Sequence, residues 1–261
     1  MKLAVSGKGG VGKSTLSAAL ALLCARRGRK VLAVDADPAE SLASALGYSA
    51  SEAASIVPIS RQMKLIEERT GAKVKQYGQV FQLNPRVDDI APKFAVTKGG
   101  VSLLVLGAVE GGGSGCACPE STLLKALVTD LVLYKEETLI LDMEAGVEHL
   151  GRGTARGVDV LLCVVEPSAK SVEVALKVER LAADIGILKV RFVGNKASNP
   201  AEEKFLRSSF EPGRLLAVLP FSEGLRAAER GGRGVLPALE GGLLPLFEGL
   251  LDRLETETTA K

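Results

Sequence analysis

One short segment carries the clearest chemistry in this sequence. Gly7 to Ser14 reads G-K-G-G-V-G-K-S and matches the pattern G-x-x-x-x-G-K-[ST], between an apolar run and a helical pattern. Glycines let backbone amides turn inward around phosphate oxygens, and the helix N-terminus favours negative charge. The sequence therefore predicts an ATP-binding phosphate loop formed by Gly7, Gly9, Gly10, Val11, Gly12, Lys13, Ser14 and Thr15.

Three polar side chains of this loop have predicted roles. Lys13 is expected to reach the β- and γ-phosphates, and the Ser14 hydroxyl to ligate Mg²⁺. Lys8 is a second lysine inside the loop. Lys8 is either a solvated charge or an added cation that stabilises the excess negative charge of a triphosphate.

Carboxylates follow two of the predicted strands. Asp35 and Asp37 end the run VLAVDADP, and Asp142 ends TLILD, with Gly146 four residues later. Carboxylates at this edge of a parallel sheet orient water or bind Mg²⁺. Asp142 is predicted to bind Mg²⁺ directly or through water, and the Gly146 amide to sense the γ-phosphate. For Asp37, the alternative is a helix N-cap before a proline.

A late strand is followed by Asn195 and Lys196. An asparagine amide offers a donor and an acceptor, which suits an adenine edge, although asparagine also forms turns. The only histidine, His149, is more often packed than catalytic in such a position and is given no catalytic role.

The cysteines fall into two classes. Cys24 and Cys163 lie in apolar patterns and are predicted to be core residues, whereas Cys116 and Cys118 follow glycines in GSGCACPE. The Cys-x-Cys pair predicts a metal site, with two exposed, unrelated cysteines as the alternative. Two copies facing each other across a two-fold axis would supply the four thiolates that a closed zinc site requires, and nickel or copper also accepts thiolates.

Short apolar runs that alternate with helical patterns must position these residues. The predicted strands are Lys2–Ser6, Lys30–Val34, Val101–Leu106, Thr138–Asp142, Val160–Val165, Val190–Gly194 and Leu215–Leu219. The predicted helices are Lys13–Arg27, Ser60–Thr70, Ser121–Tyr134, Ser171–Ile185 and Pro200–Phe210. This alternation predicts one α/β domain over residues 1–261, a P-loop NTPase with a doubly wound, mostly parallel sheet of about seven or eight strands. An edge strand is expected near Val80–Leu83.

Composition excludes several classes of function. The 261 residues include 46% hydrophobic ones and carry a formal net charge of +2, so no dense basic surface for nucleic acid is expected. The first apolar run ends at Val5, too short for a secretion signal or membrane span. Four cysteines do not make a disulfide framework, and a cytoplasmic location is expected.

The phosphate loop resembles the deviant Walker A motif of the MinD/ParA superfamily. Together with DADP, the Cys-x-Cys loop, LDMEAGVEHLGRGTA and VVEPS, it resembles the CooC-type nickel-insertion ATPases of carbon monoxide dehydrogenase maturation. The resemblance covers nearly the whole chain. It implies that Lys8 acts on the partner's nucleotide in a homodimer, that Asp37 positions the attacking water, and that Asn195 contacts adenine. It also implies Ni²⁺ binding by the paired cysteines and apo carbon monoxide dehydrogenase as the client.

Other functions fit parts of the same sequence. A related maturation factor serves acetyl-CoA synthase, so the resemblance leaves acetyl-CoA synthase open as the alternative client. A positioning ATPase of the MinD/ParA kind would bind membrane or DNA, but the C-terminal helical run Leu243–Leu254 is largely acidic, which favours packing against the body. An iron–sulfur ATPase spaces its cluster cysteines differently from Cys-x-Cys.

Overall fold

The computed structural model describes residues 1–74, 76, 78–108, 118–134, 136–147, 150 and 152–259. Within this part of the chain, eight strands form one sheet in the order β3-β4-β2-β5-β1-β6-β7-β8. The strands are β1 Lys2–Ser6, β2 Val31–Ala36, β3 Val96–Lys98, β4 Val101–Val105, β5 Thr138–Met143, β6 Val160–Val165, β7 Val190–Ala197 and β8 Leu215–Pro220. All neighbours pair in parallel except β3 with β4.

Helices cover both faces of the sheet. They are α1 Lys13–Arg26, α2 Leu42–Ala45, α3 Ala50–Ser55, α4 Met63–Thr70, α5 Ile90–Phe94, α6 Pro119–Tyr134, α7 Arg152–Ala155, α8 Ala169–Ile185, α9 Pro200–Ser208, α10 Glu223–Arg230, α11 Leu236–Ala238 and α12 Leu244–Thr259. One apolar cluster contains the core side chains of α1 and α12, and a second contains those of α4, α6 and α8. The continuously apolar strands are therefore buried on both sides, as the sequence predicted.

All seven predicted strands are present, with ends shifted by at most three residues. The expected edge strand near Val80–Leu83 is wrong: the structure assigns no strand to these four described residues, and Val80 is 96% exposed. The edge is instead β3, which forms a hairpin with β4 through Gly99 and Gly100, both at positive φ. An isolated apolar run without a partner strand has no ladder to join, and this one lies away from the sheet.

The predicted helix Ser60–Thr70 is broken at Gln62. A 3₁₀ turn at Ile59–Arg61 comes first, and α4 starts at Met63. The backbone N–H of Ser60 donates to the carbonyl of Leu106 at 2.9 Å and not to a residue of its own turn. The backbone angles of Gln62 are not helical. The turn is thereby bound to the end of β4. The predicted C-terminal glycines are confirmed, since Gly28 and Gly186 both adopt the left-handed conformation after their helices.

The C-terminal helix α12 packs on the body of the protein, as predicted. Phe247, Leu250, Leu251 and Leu254 are buried, and Glu255 pairs with Arg27 at 3.1 Å. None of the helices in the described part of the chain has the length and apolar character needed to cross a bilayer.

Replacement of Leu251 by alanine should lower the free energy of unfolding by about 2–5 kcal/mol, because Leu251 is fully buried and the change leaves a cavity. Urea denaturation followed by circular dichroism measures it. Leu246, on the same helix, is 45% exposed, so Leu246→Ala is the matched control and should cost less than about 0.5 kcal/mol. Equal costs for the two variants would contradict the packing of α12.

Candidate nucleotide-binding site

The phosphate loop lies between β1 and α1, as its sequence predicted. Gly7, Gly10 and Gly12 have φ of 145°, 77° and 99°, which side-chain-bearing residues rarely adopt. A Cβ on Gly7 would lie 2.4 Å from the carbonyl oxygen of Val164, and one on Gly12 would lie 2.5 Å from Nδ2 of Asn195. Glycine is thus required at both positions by backbone angle and by close contact.

A cavity of about 590 Å³ opens over this loop. Its lining includes Gly10, Gly12, Lys13, Ser14 and Thr15 of the loop, together with Asn195, Lys196, Phe221, Leu225 and Arg226. The loop residues present amides, a hydroxyl and an ammonium, and the other residues add an aromatic ring and an amide. This division suits a nucleotide with its phosphates on the loop and its base near β7 and α10.

Lys13 is held inside the site by a carboxylate. Its Nζ lies 3.4 Å from Oδ2 of Asp37, and the side chain is 7% exposed. Asp37 is not a helix N-cap: its Oδ1 accepts from the amide of Ala39, whereas α2 begins only at Leu42, after Ser41. The capping alternative for Asp37 is therefore wrong, and its other oxygen faces the phosphate-loop lysine.

Two carboxylates lie fully buried at the end of neighbouring strands. Asp35 on β2 and Asp142 on β5 are register partners, and both side chains are inaccessible to solvent. Asp35 accepts from the amides of Leu42 at 2.9 Å and Asp37 at 3.2 Å. Asp142 accepts from the hydroxyl of Ser17 at 3.2 Å through Oδ1. These contacts bind β2 and β5 to the segments that surround the phosphate loop.

Burial raises the pKa of both carboxyl groups. Burial raises the pKa of Asp35 to about 7, and the charge on Asp142 adds to the shift, while the two amides oppose it. Burial raises the pKa of Asp142 to about 6, opposed by the hydroxyls of Ser14 and Ser17 and the charge on Lys13. A cation placed beside these carboxylates would relieve the cost of burying their charge.

The residues around Asp142 fit a magnesium ion. Among the described residues, its Oδ2 has no hydrogen-bond partner although it is buried. The Ser14 hydroxyl belongs to a residue that lines the cavity over the phosphate loop, and it is 2.6 Å from the hydroxyl of Ser41. Oxygen ligands of this kind are those that Mg²⁺ takes when it binds with a nucleotide. Ser41 was not predicted as a site residue. Its only signal in the sequence is a serine directly before Leu42, where α2 begins.

The segment after β5 is tied to the end of β1. The backbone N–H of Gly146 donates to Oγ of Ser6 at 3.1 Å, and that hydroxyl lies 3.0 Å from the carbonyls of Glu144 and Gly146. The Gly146 amide, predicted to sense a phosphate, is thus engaged with Ser6 in this structure. His149 lies outside the described residues.

Asn195 and Lys196 contact the phosphate loop itself. Asn195 Nδ2 donates to the carbonyl of Val11 at 2.8 Å, and Lys196 Nζ donates to the carbonyl of Gly10. Lys196 has φ of 62°, an uncommon angle for lysine. The structure places both residues at the cavity, and their side chains hold the loop and β7 together.

Helix α10 was missed by the sequence analysis and lines the cavity through Leu225, Arg226 and Glu229. Its signal was present: Ser222 caps the helix by accepting from the amide of Leu225 at 3.2 Å. Glu166 was also missed, and its Oε1 lies 2.9 Å from the ammonium of Lys8.

Of the predicted metal pair, Cys118 is described and Cys116 is outside the described residues. Cys118 lies directly before α6. Its Sγ accepts from the amide of Ser121 at 3.4 Å, and its carbonyl accepts from the amide of Thr122 at 3.0 Å. The described residues contain no cluster of three or more His, Cys, Asp or Glu side chains suited to a metal ion. Cys24 and Cys163 are buried as predicted, and burial raises the pKa of their thiols to about 11 and about 12.

A glycine loop between a parallel strand and a helix, with Lys13 and Ser14 at the helix start, defines a P-loop nucleotide-binding protein. The chain belongs to the CobQ/CobB/MinD/ParA nucleotide-binding family, whose model matches residues 2–235. It is a homologue of the carbon monoxide dehydrogenase accessory protein CooC of Rhodospirillum rubrum, 41% identical over 257 residues, 97% of each chain. An uncharacterised ATP-binding protein of Methanocaldococcus jannaschii is 46% identical over 203 residues, 78% of this chain and 77% of that one.

Solved structures support the same fold. The MinC:MinD cell division complex of Aquifex aeolicus contains a chain that superposes with a TM-score of 0.66 at 19% identity, covering 100% of this chain and 97% of that one. At this identity the likeness concerns the fold. The predicted doubly wound, mostly parallel P-loop fold is confirmed.

The free energy of unfolding of the nucleotide-free protein should fall as pH rises from about 4 to about 7. Asp35 and Asp142 bind a proton more tightly when folded than in the unfolded chain, where the value is 3.8, so their contribution is complete below about pH 4. It is lost as the pH rises through the folded values. Urea denaturation across this range measures the slope.

Asp35→Asn should flatten that slope, because the amide stays neutral at every pH. The control is Asp252→Asn, which removes an exposed carboxylate paired with Arg27 and should leave the slope near that of the wild type. A wild-type slope in Asp35→Asn would show that Asp35 is ionised throughout the range.

Proposed function

We propose that this protein is an ATP-hydrolysing accessory protein that assists insertion of nickel into carbon monoxide dehydrogenase. The observation that carries the proposal is the 41% identity to the Rhodospirillum rubrum accessory protein along 97% of both chains. The nucleotide cavity, together with the buried carboxylates Asp35 and Asp142 at the ends of β2 and β5, supports an ATPase. Nickel is cargo in this proposal, and zinc is the alternative metal for the same thiolates.

Lys13 is proposed to bind the β- and γ-phosphates together with the loop amides. In the structure its partner is Asp37. A γ-phosphate would take over the ammonium, which leaves Asp37 available to orient a water molecule at the site of attack. The contact between Lys13 and Asp37 therefore holds both side chains where each is proposed to act.

Ser14 and Asp142 are the residues that would hold Mg²⁺, which supplies positive charge to the phosphates when bound. The buried Oδ2 of Asp142, without a hydrogen-bond partner among the described residues, supports this assignment. The Gly146 amide would exchange its bond to Ser6 for one to the γ-phosphate, which makes the segment after β5 sensitive to hydrolysis.

Lys8 is proposed to act on the nucleotide of a second copy in a homodimer. Six loop residues line the cavity, namely Gly9, Gly10, Gly12, Lys13, Ser14 and Thr15. Lys8 is among the described residues and does not line it. Its ammonium is paired with Glu166 instead. A lysine that does not line its own cavity supports a role on the nucleotide of the partner.

Cys116 and Cys118 are proposed to bind the metal, two thiolates from each of two chains. Cys118 is held at the N-terminus of α6 by the Ser121 amide, and helix N-termini favour negative charge on such a sulfur. The dimer that closes on ATP would bring the two pairs together. Neither nucleic acid nor membrane is a proposed partner, and the proposed location is the cytoplasm.

Asp37→Asn should lower kcat for ATP hydrolysis by about 10²-fold or more while the protein still binds ATP, because the amide cannot accept a proton from the attacking water. Phosphate release measures kcat, and a fluorescent ATP analogue measures affinity. Asp252→Asn is the control of equal charge and should hydrolyse ATP like the wild type. Undiminished hydrolysis in Asp37→Asn would remove the assigned role.

Cys116→Ser/Cys118→Ser should abolish nickel binding and leave ATP binding intact. The matched control is Cys24→Ala/Cys163→Ala, which also removes two thiols, but buried ones. Equilibrium dialysis with and without a non-hydrolysable ATP analogue gives the stoichiometry. One metal per two chains, increased by nucleotide, is expected. Wild-type nickel binding in the Cys116/Cys118 variant would show that the metal site lies elsewhere.

A further inference from the structure

Lys8 is held within its own protomer by one carboxylate, that of Glu166. The two side chains form an ion pair of 2.9 Å and are 40% and 26% exposed, respectively. Glu166 directly follows β6, and β6 pairs with β1 in the sheet. Strand order therefore fixes Glu166 beside the start of the phosphate loop.

The backbone on both sides of this ion pair is fixed. The amide of Glu166 donates to Oγ of Ser171 at 3.1 Å, and its carbonyl accepts from the amide of Ser168 at 2.7 Å. On the loop side, Gly7 packs so closely on β6 that a Cβ would lie 2.4 Å from the Val164 carbonyl. The ion pair therefore joins two side chains whose neighbouring backbone is held by hydrogen bonds and close packing.

Neither partner takes part in the cavity of its own protomer. Among the described residues, the cavity lining includes Gly9 and Gly10, which directly follow Lys8, but neither Lys8 nor Glu166. Glu166 opposes a move of the Lys8 ammonium to phosphates on a second copy, because the carboxylate attracts the ammonium and repels the phosphates.

We propose that Glu166 is the resting counterion of Lys8 and, by opposing its transfer to the partner's phosphates, sets the affinity of the nucleotide-driven dimer. This rests on the proposed function, in which Lys8 acts in trans. An ion pair of this exposure shifts an equilibrium by roughly 1.4- to 5-fold, and a symmetric dimer breaks two, so the effect is roughly 2- to 30-fold.

The same contact has a second consequence. The ion pair breaks on dimerisation whichever nucleotide is bound, so its removal should tighten the dimer by the same factor with ATP and with ADP. Binding of nucleotide to the monomer should stay as in the wild type, because neither residue lines the cavity. The ion pair is thus expected to weaken the dimer equally with both nucleotides.

The test is the dimer dissociation constant of the full chain, measured by sedimentation with Mg²⁺ and either a non-hydrolysable ATP analogue or ADP. Glu166→Gln should lower it roughly 2- to 30-fold with both nucleotides. Glu173→Gln is the matched control: it removes the same charge from α8, where Glu173 pairs with Lys170 at 3.0 Å, and should change nothing. Glu166→Asp keeps the charge on a shorter side chain and should lie between wild type and Glu166→Gln.

The double variant Lys8→Ala/Glu166→Gln separates this contact from a general charge effect. It should dimerise like Lys8→Ala alone, since Glu166 acts only through Lys8. A Glu166→Gln dimer no tighter than that of Glu173→Gln, or a gain that persists without Lys8, would overturn the inference while leaving the proposed function intact. A wild-type chain that stays monomeric with the ATP analogue would overturn the trans role of Lys8, and this inference with it.

Discussion

Compensation of charge at one edge of the sheet governs this structure. A triphosphate with its metal requires inward amides and cations at the carboxyl ends of β1, β2 and β5, and this chain gathers them there. In the structure, the cations at this edge have partners within the chain. Asp37 neutralises Lys13 and Glu166 neutralises Lys8, while a backbone carbonyl accepts from Lys196. Each of these contacts is one that a phosphate can replace.

The buried carboxylates extend the same constraint into the core. Asp35 and Asp142 face each other in register on β2 and β5, in the interior of the sheet, where water cannot screen them. The amides of Leu42 and Asp37 bind one, and the Ser17 hydroxyl binds the other. Burial makes this negative charge costly, and a bound cation would offset that cost. The stability of this edge and its affinity for a metal–nucleotide complex are therefore opposed.

The sequence predicted the parts whose cause is local. Continuous apolar runs predicted seven strands, and the glycine spacing predicted the phosphate loop, because these depend on neighbouring residues. The partner of Lys8 could not be predicted, since Glu166 lies 158 residues away and meets Lys8 only through the order of β1 and β6. The run near Val80 was misassigned because apolar residues alone do not supply a neighbouring strand. Helix α10 was missed although its cap, Ser222, was visible.

The proposed function requires ATP and metal to favour the same closed dimer, and such coupling is reciprocal. The described residues carry backbone contacts from the buried carboxylate of Asp35 as far as Leu106 and Gly107. The amide of Leu106 donates to the carbonyl of Asp35, and the carbonyl of Leu106 accepts from the amide of Ser60, both at 2.9 Å. The next residue, Gly107, has φ of 74° and packs so that a Cβ would lie 2.4 Å from Oγ of Ser60. The chain that leads to the cysteine segment is thus bonded to the strand that carries the buried carboxylate, with no flexible side chain between them. A shift of β2 on nucleotide binding would be passed to Leu106 directly, which gives the coupling a short physical route.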